Sequence, residues 1–244
     1  TDIYTAFGGF FEKRSAFESG PLNNQFVFKI GAGNYQSERL NTKELAELWR
    51  INAYTSLSSE YPIWQGQAAP LTPEGAYRYS PIPIVPGLSL NSTLSSAYFI
   101  YKDGSNQNTL SLRAGPTITL GTFTKPFLDY TKLSLSAGGT LKQGSSPFAF
   151  DETIDLGTFG IGLTQQIVGP LVLDAGFEFN IDAGSEYYGK AINTSIELRW
   201  QRRTYDFALF YMPDKGMGGL SFRLNDFDFN GAGIPFVPHR RVNN

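Results

Sequence analysis

No cysteine occurs at any of the 244 positions, which excludes disulfides, thiolate metal sites and a cysteine nucleophile by arithmetic alone. Histidine is nearly as scarce. His239 is the single copy, it lies in the polar C-terminal tail, and without a second imidazole it argues against histidine catalysis or metal binding. A dominant charge sign is missing too: 20 Lys and Arg face 22 Asp and Glu, and the basic residues are dispersed, which leaves no footprint for nucleic acid. No window approaches the roughly 18 to 20 consecutive apolar residues that a membrane-crossing helix needs. The opening TDIYTAFGGF lacks the basic and apolar regions of a signal peptide, so an envelope location calls for a targeting segment removed ahead of residue 1. Gly138-Gly139 and Gly218-Gly219 sit in strand-like sequence, without the strand-to-helix context of a phosphate loop, and read as bulges or close packing. Asp151 and Asp155, near a loop, read as solvated carboxylates and not as an acid/base pair. These absences predict a protein that is not an enzyme and takes no cofactor or metal.

What the chain does contain is aromatic residues, 15% of the total with 20 Phe and 13 Tyr, against an ordinary 41% of hydrophobic residues. That balance suits a membrane β-barrel, where only alternate residues need be apolar and aromatics gather at the two interfaces. Side chains in a strand alternate faces. In the last hairpin, Tyr205, Phe207, Leu209 and Tyr211 share one side, Pro213-Asp214-Lys215-Gly216 turns the chain, and Leu220, Phe222 and Leu224 return. The same alternation marks Phe26, Phe28 and Ile30; Leu88, Leu90 and Leu94; Leu110, Leu112 and Ile118; Leu133 and Leu135; Phe159, Ile161 and Leu163; Leu171, Leu173 and Phe177; and Ile192, Ile196, Leu198 and Trp200. Strands are predicted over about 1–12 and 48–60, the latter preferred to a short helix at 43–49, and over about 128–142, with a turn-rich loop GSSPFAFDETID after it.

No linker divides the chain, so one unit is expected: an all-β, antiparallel transmembrane β-barrel of about 10 to 12 strands over residues 1–231, with an irregular tail at 232–244. Six prolines between Pro62 and Pro86 predict a long connection, or an interrupted edge strand, at about 62–86. A soluble sandwich or lipocalin-like module could use the same alternation, but strands of about ten residues fit a tilted crossing better than the usual five or six. Lys29, Arg50, Arg113, Asp174, Glu178, Glu197 and Arg223 fall on the polar side, where they could line a path or merely solvate an outer face. Arg202 and Arg203, at a strand end, could bind lipid phosphate through forked hydrogen bonds; the alternatives are interfacial snorkelling or pairing with Asp206.

Five stretches carry a further signal: RRTYDFALFYMPDKGMGGLSFRLNDFDFNG (202–231), GLTQQIVGPLVL (162–173), FTKPFLDYTKLSLS (123–136), SSPFAFDETID (145–155) and YRYSPIPIVPGLSL (77–90). Together, from about Leu45 to Gly231, they resemble the C-terminal region of cyanobacterial OstA-like or LptD-like outer-membrane proteins. The resemblance implies non-catalytic translocation of lipopolysaccharide or a related lipid to the outer leaflet of the outer membrane. It also implies, as partners, a periplasmic lipid-transport bridge and the barrel assembly machinery. On it, Leu220, Phe222, Leu224, Phe227 and Phe229 would be the closing strand and assembly signal, and Pro81, Pro83 and Pro86 a weak seam. The chain departs from the family pattern in having about half the strands of the largest barrels, no jellyroll segment and none of the cysteines that join the two domains. A passive diffusion porin on the same architecture is the competing reading.

Overall fold

The computed structural model describes residues 3–225, and among them there are eleven strands and no helix. They are β1 (Ile3–Ser19), β2 (Leu22–Glu38), β3 (Leu45–Gln65), β4 (Gly87–Tyr101), β5 (Asn106–Leu120), β6 (Thr131–Gly144), β7 (Gly157–Val168), β8 (Leu171–Asn180), β9 (Ala191–Gln201), β10 (Tyr205–Met212) and β11 (Met217–Leu224). Each pairs antiparallel with its neighbours in sequence, so the sheet is a single meander in the order β1 to β11. The expected all-β antiparallel class and strand number hold. The expected closure does not: among the described residues β1 and β11 have no pairing with each other, and the sheet is open. Because every connection reverses the chain, odd-numbered strands all run from one end, here the upper, to the other, the lower.

Several boundaries differ from the sequence expectation, each for a local reason. Residues 45–49 have helix propensity, yet Glu47 pairs with Gln36 and Trp49 with Asn34, so the β2 ladder overrides it. Pro62 lies inside β3, at a register shift between Pro62 and Trp64, where a missing N–H breaks no ladder; the connection is therefore 66–86 and not 62–86. β1 continues past Glu12 to Ser19 through charged residues that obscured its alternation. In β5, pairing to β6 stops at Ala114↔Ala137 and resumes at Thr117↔Ser134, leaving Pro116 outside the ladder. Gly115 beside it has no room for a Cβ, which would stand 1.9 Å from the Leu135 carbonyl oxygen.

Of the two faces, the polar one is the more enclosed. In β5 the outward Leu110 and Leu112 are 46% and 56% exposed, whereas Gln107 and Thr109 on the other face are 0% and 7% exposed. Leu90, Leu94, Leu133, Leu135, Leu198 and Leu209 continue the exposed apolar face across the sheet. The polar face carries the loops, and the only two buried apolar clusters found among the described residues lie at its ends: Leu48, Tyr101 and Phe148 above, and Tyr79, Phe123 and Val172 below.

Candidate functional site: a polar trough with loops folded over both ends

Register places Lys29, Arg50, Arg113, Asp174, Glu178, Glu197 and Arg223 on one face. One row across it reads Ala16, Gln25, Ser58, Thr93, Arg113, Gly138, Thr158, Asn180, a run of small and polar side chains with one cation. The charges are matched locally. Lys29 Nζ lies 2.7 Å from Glu12, which also holds Arg14, and Arg199 bonds Asp174 while lying 3.7 Å from Glu197. Arg223 stands opposite Asp206 in the β10–β11 ladder and is exposed.

Arg113 on β5 bonds Glu178 on β8 and donates to the Thr158 hydroxyl at 3.1 Å. In a flat sheet those strands would lie about 14 Å apart, at about 4.8 Å per step. The intervening surface is bare: Gly138 and Gly160 stand between, and a Cβ on Gly160 would sit 3.5 Å from an Arg113 nitrogen. Contact across three steps bends the sheet toward its polar side, which makes that side a trough. Over its middle lies a recess of about 460 Å³ whose lining includes Glu60, Asn91, Thr93, Arg113, Lys132 and Ser134.

The upper end is covered by residues 145–156, the connection from β6 to β7, which folds back as far as the β2–β3 turn. Arg39 bridges Phe148, and the Leu40 N–H donates to the Pro147 carbonyl at 2.8 Å. Asp151 is the anchor. Its carboxylate accepts from Arg50 at 2.5 and 2.6 Å and from the Tyr101 hydroxyl at 2.7 Å, while Arg50 also donates to Tyr35 at 2.8 Å and lies 4.1 Å over that ring. Gln107, fully buried, donates to the Asp151 carbonyl oxygen at 2.8 Å. Lys142 bonds Glu152, and the Ser146 N–H donates to Glu152 at 2.6 Å. Asp155 accepts from Asn180 at 2.7 Å. Neither aspartate is the loosely solvated carboxylate that the sequence suggested, because the partners come from β3, β4 and β8, more than twenty residues away.

The lower end is covered by the proline-rich connection together with 121–130. Tyr79 and Phe123 pack at 5.2 Å, and Arg203 lies 5.2 Å over Tyr77, so a segment leaving β3 reaches the β9–β10 turn. Arg202 stacks on Trp200 at 5.4 Å. Pro81, Pro83 and Pro86 belong to this connection in mid-sheet, away from the free edges; β3 and β4 pair from Arg50↔Tyr101 down to Gln65↔Gly87 beside them. Burial pushes the Asp129 carboxyl up, but the Thr124 and Lys125 N–H groups at 2.9 and 3.1 Å outweigh it and hold the pKa below the ordinary value. Asp103, in the β4–β5 turn, is likewise lowered against its burial, by Ser105 and Arg39.

Leu220, Phe222 and Leu224 lie on β11, the last described strand, with their side chains exposed; Phe227 and Phe229 lie outside the described residues. Among the described residues no group of His, Cys, Asp and Glu could hold a metal ion, and no helix is long and apolar enough to cross a membrane. The sequence reading missed Gln107, Tyr101 and Tyr35 at the upper end and, at the lower, the fully buried Gln166, which accepts from the Asp129 N–H at 2.7 Å; a lone buried Gln on a polar face has no local signal. No curated protein and no solved structure matches the chain. Residues 1–228 match the family described as "Protein of unknown function (DUF3769)", and the chain belongs to that family.

Proposed function

We propose that this sheet is the wall of an outer-membrane β-barrel that passes an amphipathic envelope lipid, of the lipopolysaccharide class, to the outer leaflet without catalysis. The observation that carries the reading is the inverted burial: leucines open to the outside, Gln, Thr and Asn enclosed within. Water would expel such an outer face, while hydrocarbon accepts it. Exposed Tyr61, Trp64, Trp200 and Tyr205 lie toward the lower end of that face and Trp49 and Tyr211 toward the upper, flanking an aliphatic middle as interfacial girdles do. Strands of 12 to 15 residues in β4 to β7 run about 40 to 50 Å at about 3.3 Å per residue, enough to cross a tilted hydrocarbon core of about 30 Å.

A hydroxyl- and amide-rich trough beside an apolar exterior offers a sugar-phosphate headgroup and acyl chains their separate solvents. That pairing, and the resemblance to OstA-like and LptD-like proteins of cyanobacteria, favour lipid export over a porin, as do the loops folded across both ends. The test combines heat-modifiable gel migration of the detergent-extracted protein, photocrosslinking to radiolabelled lipopolysaccharide from residues replacing Thr93 and Ser134, and planar-bilayer conductance. Heat modifiability with lipid adducts and no steady current supports export. A stable open channel without adducts overturns it in favour of the porin, and a soluble monomer without detergent overturns the membrane assignment.

A further inference from the structure

We propose that the free edge of β1 is an interface for one more antiparallel strand, supplied by polypeptide that precedes Ile3 in the full-length protein, so that neither β11 nor a second copy closes the wall there. The inference rests on the membrane reading for two steps, the exclusion of a second copy and the cost of an unpaired edge.

Direction is the first argument. With eleven strands in a strict meander, β1 and β11 run the same way, and joining them would create a parallel pair in a sheet that has none. Copies inserted in one membrane stand the same way up, so β1 of one copy would also run parallel to β1 or β11 of another. A partner for β1 must run from the lower end to the upper. Length is the second argument. β1 has 17 residues and β11 has 8, so β11 could satisfy only about half of that edge. Every backbone group left unpaired in hydrocarbon costs several kcal/mol, about enough for two or three of them to unfold a small domain.

The third argument is what β1 lacks. A sheet edge meant for solvent is short, bulged, or carries proline or charge; β1 has charges at Glu12, Lys13, Arg14 and Glu18 and a register shift between Ile3 and Thr5, but it is long, has no proline and keeps its register from Thr5 to Ser19. Phe7 is 81% exposed on the outer face and Phe10 is 79% exposed on the trough face, so β1 is bare on both sides. Finally, each neighbour in the sheet is the neighbour in sequence, and by that rule the strand beside β1 is the one before it, entering through a turn at the upper end. Its outward positions would be apolar, beside Phe7 and Phe11, and its inward positions small or polar, beside Glu12 and Arg14.

The test uses the full-length protein from native membranes. Hydrogen exchange of 3–19 is compared with 22–38, whose strand has partners on both sides. Agreement within about threefold supports a covered edge, and a set of β1 amides exchanging at least about tenfold faster overturns it. The absence of cysteine makes Ala16→Cys with Ser221→Cys a clean pair for a short thiol crosslinker. A crosslink within one chain overturns the proposal in favour of parallel closure, and one between chains in favour of a second copy. Intact mass decides the source: a chain heavier than 27.0 kDa by residues ahead of Thr1 supports it, and a protected edge on a chain of 27.0 kDa overturns it in favour of another occupant, residues 226–244 of this chain or a separate protein. Heat modifiability is read in parallel, so loss of the membrane reading is distinguishable from loss of the edge.

Discussion

The upper cover should open when Arg50 is removed. Arg50→Met keeps the aliphatic stem and deletes the guanidinium that bonds Asp151 twice and Tyr35 once. Both partners are shielded, with side chains 12% and 8% exposed, so Asp151 would keep only the Tyr101 hydroxyl as a direct side-chain donor. Breaking one side of a buried pair costs about 3 kcal/mol, which is about a hundredfold in the opening equilibrium of the loop. Hydrogen exchange of peptides spanning 145–156 in detergent should accelerate by that factor, with β7 and β8 unchanged. The companion variant separates loss of attraction from a stranded charge. Adding Asp151→Leu removes the orphaned carboxylate, and Arg50→Met/Asp151→Leu should recover at least half of the loss. A change below about threefold in Arg50→Met, or a double variant as labile as the single, would refute the anchor.

Three other outcomes follow from the same geometry. Leu112→Arg, at an exposed site, should cost about 2 to 4 kcal/mol in refolding titrations into lipid vesicles if the outer face meets hydrocarbon; in water the same change would be nearly neutral. Asp129 is held below its ordinary pKa, so its stabilisation is present above about pH 4, the unfolded value, and fades as pH falls through the folded one. Exchange from 121–130 should thus be protected evenly from pH 7 to 5 and lose protection below about 4, while Asp129→Asn should be less protected at pH 7 and lose that acid limb. β9 and β10 pair only from Asp206 to Tyr211, the shortest ladder among the described residues, so a thiol crosslink between Leu198→Cys and Leu209→Cys should block lipid delivery in reconstituted vesicles if the lateral exit lies there. The control, Thr55→Cys with Ser96→Cys in the long β3–β4 ladder, should leave delivery unchanged.

Much of the sheet was legible because period-two alternation is local. Leu110, Leu112 and Ile118 announce a strand whatever surrounds them, and the turn at Pro213-Asp214-Lys215-Gly216 fixes the last hairpin. What failed to show was anything decided by a partner strand. Residues 45–49 become β3 only because β2 is there to pair with them, and Glu12 to Ser19 extend β1 because Lys29 and Gln25 oppose them. Closure failed for a different reason. Alternation states that a residue faces one side or the other and carries no count of strands, so 10, 11 and 12 strands read alike even though only an even number lets first and last strands meet antiparallel.

The trough was half legible, and the division is instructive. Seven polar residues could be assigned to one face by parity alone, and the structure puts them there. Parity left open whether that face looks at water outside or is wrapped inside, because exchanging the two environments leaves the sequence pattern intact. The decision lies in curvature, and curvature lies in residues with little side chain. Gly138 and Gly160 let Arg113 lie across β6 and β7 to Glu178, and the loops then find a concave surface on which Asp151 and Tyr79 can be buried. A sheet bent the other way would hold the same leucines and serines in the same register, yet it would need a second layer over the leucines, and no described residue supplies one. The glycines on the polar side are thus the feature that turns an ambiguous alternation into a sheet with a concave polar side.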